Sequence, residues 1–338
     1  MELHALHGPA EVALLRNCRA LRECGVCCPP LRVSLRVSRQ PGAMRKAHTI
    51  FLAALTACGP ASRQTTPDAP LDHSFTDPRC AVIRGYTGDA MEPFLTRDGR
   101  YLLFNTSNAP TAQTDIQVAR VVDDLTFDYL GPLAGANSAA LDGVPTVSSD
   151  GTLFFVSVRS YDATGATIYR ARFRDGVADS VALVDGLPRG PGLVHFDVEV
   201  SADGSTLYYA RGIFDGGPVP KSADLAVAVG HGTSFVPSNA LTAALGTVNT
   251  RGALAYAAAI SPDGLELFFT RLSNGDQTGI YRAVRPNASA AFGAPSRIAA
   301  ITGFVEAPTL SSDGQRLYYH QRVGDRFAVC RVRRATGT

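Results

Sequence analysis

The run AAAISPDGLELFF (257–269) decides the fold, because the chain repeats it five times. Its counterparts are EPFLTRDGRYLLF (92–104), VPTVSSDGTLFF (144–155), DVEVSADGSTLYY (197–209) and APTLSSDGQRLYY (307–319). The Asp-Gly pairs are Asp98-Gly99, Asp150-Gly151, Asp203-Gly204, Asp263-Gly264 and Asp313-Gly314, spaced by 52, 53, 60 and 50 residues. An aliphatic residue precedes each Asp by three positions and an apolar triplet follows each Gly. Asp-Gly supplies the positive φ that a tight hairpin needs, so each copy reads as two strands around a turn. Unbroken apolar triplets, in place of alternation, mean that both faces of the sheet are covered. A third β-prone run begins near Ile116, Ile168, Leu225, Ile280 and Phe327, with a small residue four positions in (Ala119, Ala171, Ala228, Ala283, Cys330). A fourth run is marked by Phe127, Phe235 and Phe292. Four short strands per ~50 residues, repeated, predict an all-β, five-bladed β-propeller of four-stranded antiparallel blades.

After Asp313 there is room for three strands only. Residues 75–83 look like the fourth-strand segment beginning at Phe292, so the N-terminal strand is expected to complete the last blade and leave no free edge. A sixth, degenerate blade in the 60-residue interval is the alternative. Repeat phasing then sets Cys80 on the closing strand beside Cys330 on the third strand, within disulfide reach if the two are in register. The alternative is a pair of buried thiols. The repeated Asp residues are expected to hydrogen-bond within their own turns rather than act as a catalytic set.

The pattern resembles the PD40 repeats, a WD40-like family of TolB-type propellers, over about residues 75–335. Ser261-Pro262-Asp263-Gly264 matches the family pattern, whereas the other copies replace Pro with Arg97, Ser149, Ala202 and Ser312. The resemblance implies the propeller fold and says little of function.

Of 338 residues, 45% are hydrophobic and 18% charged, and the net charge of +2 is unevenly placed. Residues 1–57 carry +5 and the remainder −3, so the body has no basic footprint for nucleic acid. Met44-Arg45-Lys46, the apolar stretch 47–57 and Cys58-Gly59 have the layout of a signal peptide. Leu55-Thr56-Ala57-Cys58 resembles the lipobox of bacterial lipoproteins, which implies lipidation at Cys58 and, through Gly59, the outer membrane. The expected organisation is a mis-annotated or disordered segment 1–43, a signal peptide 44–57, a flexible tether 58–74 and a propeller 75–338. The Cys24-x-x-Cys27 spacing lacks a second ligand pair, and no metal or cofactor is expected.

Glu92, Asp197 and Glu306 lie six or seven residues before a repeat Asp, near the start of an innermost strand. Three carboxylates at one channel mouth suit acid–base hydrolysis of a glycoside, or hold a cation; solvated turn positions are the bland alternative. His73, His195, His231 and His320 are isolated in sequence. Arg159, Arg211, Arg271 and Arg322 recur after the second strands and raise the idea of a basic ring. With no complete catalytic set, the leading expectation is a monomeric binding or scaffold module for an envelope protein or polymer, touching the membrane through its lipid only. The alternative is a five-bladed hydrolase using the three acids.

Overall fold

The computed structural model describes residues 69–108, 113–215, 219–273 and 278–336. Segments 1–43 and 44–57, and Cys58, lie outside the described residues. Five sheets form five blades, each ordered from the axis outward as the repeat runs. Blade 1 comprises Met91–Leu95, Tyr101–Asn105, Ile116–Val121 and Thr126–Pro132; blade 2 comprises Asp142–Val147, Thr152–Ser157, Ile168–Arg174 and Val177–Leu183. Blade 3 comprises Leu193–Val200, Thr206–Ile213, Ser222–His231 and Ser234–Pro237; blade 4 comprises Ala253–Ile260, Glu266–Ser273, Thr278–Val284 and Ser296–Ile298. Blade 5 supplies Val305–Leu310, Arg316–Val323 and Arg326–Arg334. The 60-residue interval holds no sixth sheet among the described residues; the helix Asn239–Ala243 and turns occupy it. Phe292 is buried but precedes its blade's fourth strand, which begins at Ser296.

The apolar triplets explain the stacking. Leu103 packs toward blade 2 while Leu102 and Phe104 pack toward blade 5. Phe268 likewise faces blade 5, and Leu267 and Phe269 face blade 3. Each such side chain is worth roughly 1.5–3 kcal/mol over its exposed state, so the core lies between blades and holds the ring together.

At every hairpin the Asp accepts, through Oδ1, the hydroxyl of the Ser or Thr two residues before it (Thr96, Ser148, Ser201, Ser261, Ser311; 2.5–2.6 Å). The same oxygen accepts the backbone N–H two residues later. Gly takes the left-handed position, φ 70 to 86, as the turn chemistry requires. All five Asp residues therefore act in their own turns.

Phe75–Cys80 pairs antiparallel with Arg326–Arg334 and completes blade 5. The N-terminal segment also does more than the sequence suggests. Leu71–Asp72 adds a parallel outermost strand to blade 4, and Val82–Arg84 adds one to blade 1. One stretch of chain thus spans three blades. Residues 71–74, expected to lie in a flexible tether, are fastened to the propeller instead: Asp72 is buried, accepting from Ser74 N–H (2.7 Å) and Arg282 (3.1 Å). Cys80 and Cys330 are directly paired across the closing strands and joined by a disulfide.

Candidate functional site

Each innermost strand carries an irregularity near its start, where ladder register slips. In four blades the residue six before the repeat Asp is non-glycine with positive φ: Glu92 (49), Val144 (54), Ala257 (49) and Ala307 (55). Such strain persists only where surroundings enforce it. Here the bulged N–H reaches toward the preceding blade. Val144 donates to Asn105 Oδ1 (3.1 Å), Ala307 to Thr270 Oγ1 (3.0 Å), and Glu92 to His320 Nδ1 (3.1 Å). Asn105, Thr270 and His320 all stand seven residues after a repeat Asp, where they interrupt an apolar strand. In blade 3 that position is Ala210, which cannot accept, and Ala257 N–H goes instead to Asp197 Oδ2 (3.2 Å). A polar residue seven after the Asp is the signal that sequence reasoning passed over.

The three expected acids do meet at this mouth. Glu92 Oε1 accepts from Asn108 Nδ2 (2.6 Å) and lies 3.9 Å from His320 Nδ1. His320 Nε2 is 3.2 Å from Glu306 Oε2, and the Tyr256 hydroxyl donates to Glu306 Oε1. Since Nδ1 accepts the Glu92 N–H, the imidazole proton sits on Nε2 and donates to Glu306. His320, isolated in sequence, is thus the buried bridge between two of the acids. Burial pushes the Glu92 carboxyl upward, and the Glu306 charge adds to it. Burial first, then the Glu92 charge, holds Asp197 well above the ordinary carboxylate range. Burial and the neighbouring Glu306 raise the Tyr256 hydroxyl. Among the described residues no Arg or Lys pairs with these three acids. Aromatic rings flank them: Phe196 packs on Tyr256 and on Phe214 (both 5.9 Å), and Phe327 packs on His320 (5.5 Å) and Phe304 (5.8 Å).

The axis below this mouth is shut. Arg97 reaches from the blade 1 hairpin to Glu199 on blade 3 (2.8 Å) and to the Val200 carbonyl (2.9 Å). Thr146 of blade 2 donates to the other Glu199 oxygen (2.6 Å), and the Phe94 ring lies 5.2 Å from the Arg97 guanidinium. Burial raises Glu199 although Arg97 pulls it down. A cavity between the inner strands, lined by Glu92, Val144, Ala257 and Ala307 among others, has a volume of about 30 Å³, room for a water or two.

The remaining candidates disperse. Arg159 binds Asp142 and lies over Phe155 and Tyr169, and Arg271 binds the Val248 carbonyl over Phe269 and Tyr281, so these two are built into the blades and no basic ring results. Arg211 sits opposite Asp224 within the blade 3 ladder, and Arg322 donates its backbone N–H to the Phe304 carbonyl. His195 is buried against Tyr209, and burial lowers it to about 4. His73 and His231 are exposed. Among the described residues no three His, Cys, Asp or Glu are arranged to hold a metal ion.

Fold and site together define a five-bladed β-propeller with an acidic, aromatic-flanked mouth and a sealed axis. No protein-family model and no curated protein matches the sequence. Solved structures similar in fold include the endo-arabinase of Bacteroides thetaiotaomicron (12% identity, TM-score 0.52, covering 79% of this chain and 99% of that one). Another is Zg3597, a family 117 glycoside hydrolase of the marine bacterium Zobellia galactanivorans (10% identity, TM-score 0.51, 78% and 93%). TolB from Acinetobacter baumannii is also similar (16% identity, TM-score 0.42, 72% of this chain); the match spans about half, 54%, of that protein.

Proposed function

We propose that the chain is an exported propeller, lipid-anchored at Cys58, that works as a binding module for an envelope protein or polymer. One observation carries this reading: carboxylates and rings gather at one mouth above an axis sealed by Arg97 and Glu199. A ligand is gripped at that face and has no path through. Each acid is also tied to a protein donor, Glu92 to Asn108, Asp197 to Ala257 and Glu306 to Tyr256, which suits a rigid, recessed binding site. The PD40 resemblance and the lipobox support the same address.

A second reading, glycoside hydrolysis, rests on the convergence of three carboxylates, two of them raised by burial as a general acid must be. One experiment separates the two. The full chain is incubated with isolated envelope fragments and, separately, with arabinan, and both retention and new reducing ends are measured. The binding module predicts retention on envelope fragments, weakened in Glu92→Gln/Glu306→Gln, with no reducing ends formed. Reducing ends that vanish in that variant favour the hydrolase. Neither retention nor hydrolysis refutes both.

A further inference from the structure

The Cys80–Cys330 disulfide is lopsided. Cys330 is fully buried, clustered with Phe75, Phe268, Leu317 and Tyr319. Cys80 is exposed on the outermost strand of blade 5 and, with Pro78, Arg79, Ala300, Thr302 and Gln321, lines a cleft of about 230 Å³. The closing strand opens this cleft by bulging: its register slips between Thr76 and Arg79, Asp77 takes φ 55, and Pro78 has no N–H to donate. Arg331 holds Asp77 (3.0 Å), whereas exposed Arg79 has no ion-pair partner among the described residues. The cleft therefore sets a free cation beside the exposed cysteine of the bond.

We propose that this cleft is a thiol-exchange site for a small thiol that carries a carboxylate. Arg79 receives the carboxylate, and the thiolate attacks Cys80 Sγ. A new S–S bond forms between the incoming sulfur and Cys80 as the Cys80–Cys330 bond breaks. The electron pair passes to Cys330 Sγ, which takes a proton from water. One disulfide replaces another, so no outside oxidant or reductant is needed beyond the thiol itself. Attack at Cys330 is closed by burial, and its apolar surroundings favour the protonated thiol once it leaves. Return attack by Cys330 on the mixed disulfide expels the small thiol and restores the bond.

The ring survives the exchange, because the same stretch of chain is fastened elsewhere. Arg297 N–H donates to Pro70 O and Ala299 N–H to Asp72 O on blade 4; Ala335 N–H donates to Ser74 O on blade 5; Val82 N–H donates to Leu125 O on blade 1. This makes the bond a reversible modification site rather than the fastener on which the fold depends.

The test uses the native full chain and glutathione as probe, followed by acid quench, alkylation and tryptic mapping. Trypsin separates Cys80 (residues 80–84) from Cys330 (residues 327–331). The expected result is glutathione on the 80–84 peptide, an alkyl group on the 327–331 peptide, and an unchanged far-UV circular dichroism spectrum. Arg79→Gln, in which the cut before Cys80 is lost and the adduct is read on the 64–84 peptide, should slow the reaction with glutathione about two- to fivefold, the scale of an exposed ion pair, and leave the rate with neutral 2-mercaptoethanol unchanged. Glutathione on Cys330, reaction only in denaturant, or equal slowing of both thiols by Arg79→Gln would overturn the assignment.

Discussion

Replacing Arg97 by Met tests whether the axis is sealed by a buried ion pair. The Arg97 and Glu199 side chains are only 8% and 5% exposed, and Arg97 is the sole cation paired with that carboxylate among the described residues. Met keeps an apolar stem over Phe94 and removes both charge and donors, which leaves Glu199 with Thr146 as its side-chain donor. Breaking a buried pair from one side costs ~3–5 kcal/mol, because the remaining charge is uncompensated. At ~2–4 °C per kcal/mol for a domain of this size, the melting temperature should fall by roughly 6–20 °C. The loss should also depend on pH. Burial already lifts Glu199, and without Arg97 it rises further. The folded variant then keeps a proton that the unfolded chain releases near its ordinary value of ~4.3, so stability declines as pH climbs above that value, by up to ~1.4 kcal/mol per unit. Urea melts at pH 5 and pH 8, followed by far-UV circular dichroism because the chain has no Trp, read both effects. Arg97→Met/Glu199→Gln should recover at least half of the loss, since it removes the stranded charge. A cost below ~1 kcal/mol in the single variant, no pH dependence, or a double variant as unstable as the single would refute the plug.

Two further outcomes follow from the hydrogen bonds. Asp197 stands in for the acceptor missing at Ala210, so Ala210→Ser should stabilise Asp197→Ala by ~1 kcal/mol more than it stabilises the wild type; equal effects in both backgrounds would show that Ala257 N–H does not depend on Asp197. The turn carboxylates of Asp150, Asp203 and Asp263 are held below their ordinary value, chiefly by the hydroxyls of Ser148, Ser201 and Ser261. Their contribution is complete above the unfolded Asp value of ~3.9 and is lost as pH falls through the lower folded values. Ser201→Ala/Ser261→Ala should therefore move the acid-unfolding midpoint to higher pH, and an unmoved midpoint would separate these turns from acid stability.

What the sequence reveals and what it hides divide along one physical line. Hairpins, buried triplets and the closing strand are periodic features of a single chain segment, and repeat phasing alone sets Cys80 opposite Cys330. Arg97 and Glu199 are 102 residues apart, and Glu92 and His320 are 228 apart, so no local window joins them. The parallel strands at Leu71–Asp72 and Val82–Arg84 are equally silent, being two and three residues long. Yet the repeat carries the missing information in its exceptions. Equivalent residues of five blades surround one axis, so a copy that departs from the pattern near the inner strand meets its counterparts in the other copies. Arg97 takes the place that Pro262 holds in blade 4, and it crosses the axis. Ala210 replaces a polar residue, and Asp197 supplies what it lacks. Glu92 and Asp197 fill a position that is Val144, Ala257 and Ala307 elsewhere, and they gather at the mouth with Glu306. In a ring of repeats, the regular residues build the wall, and the irregular ones near the axis converge on the site.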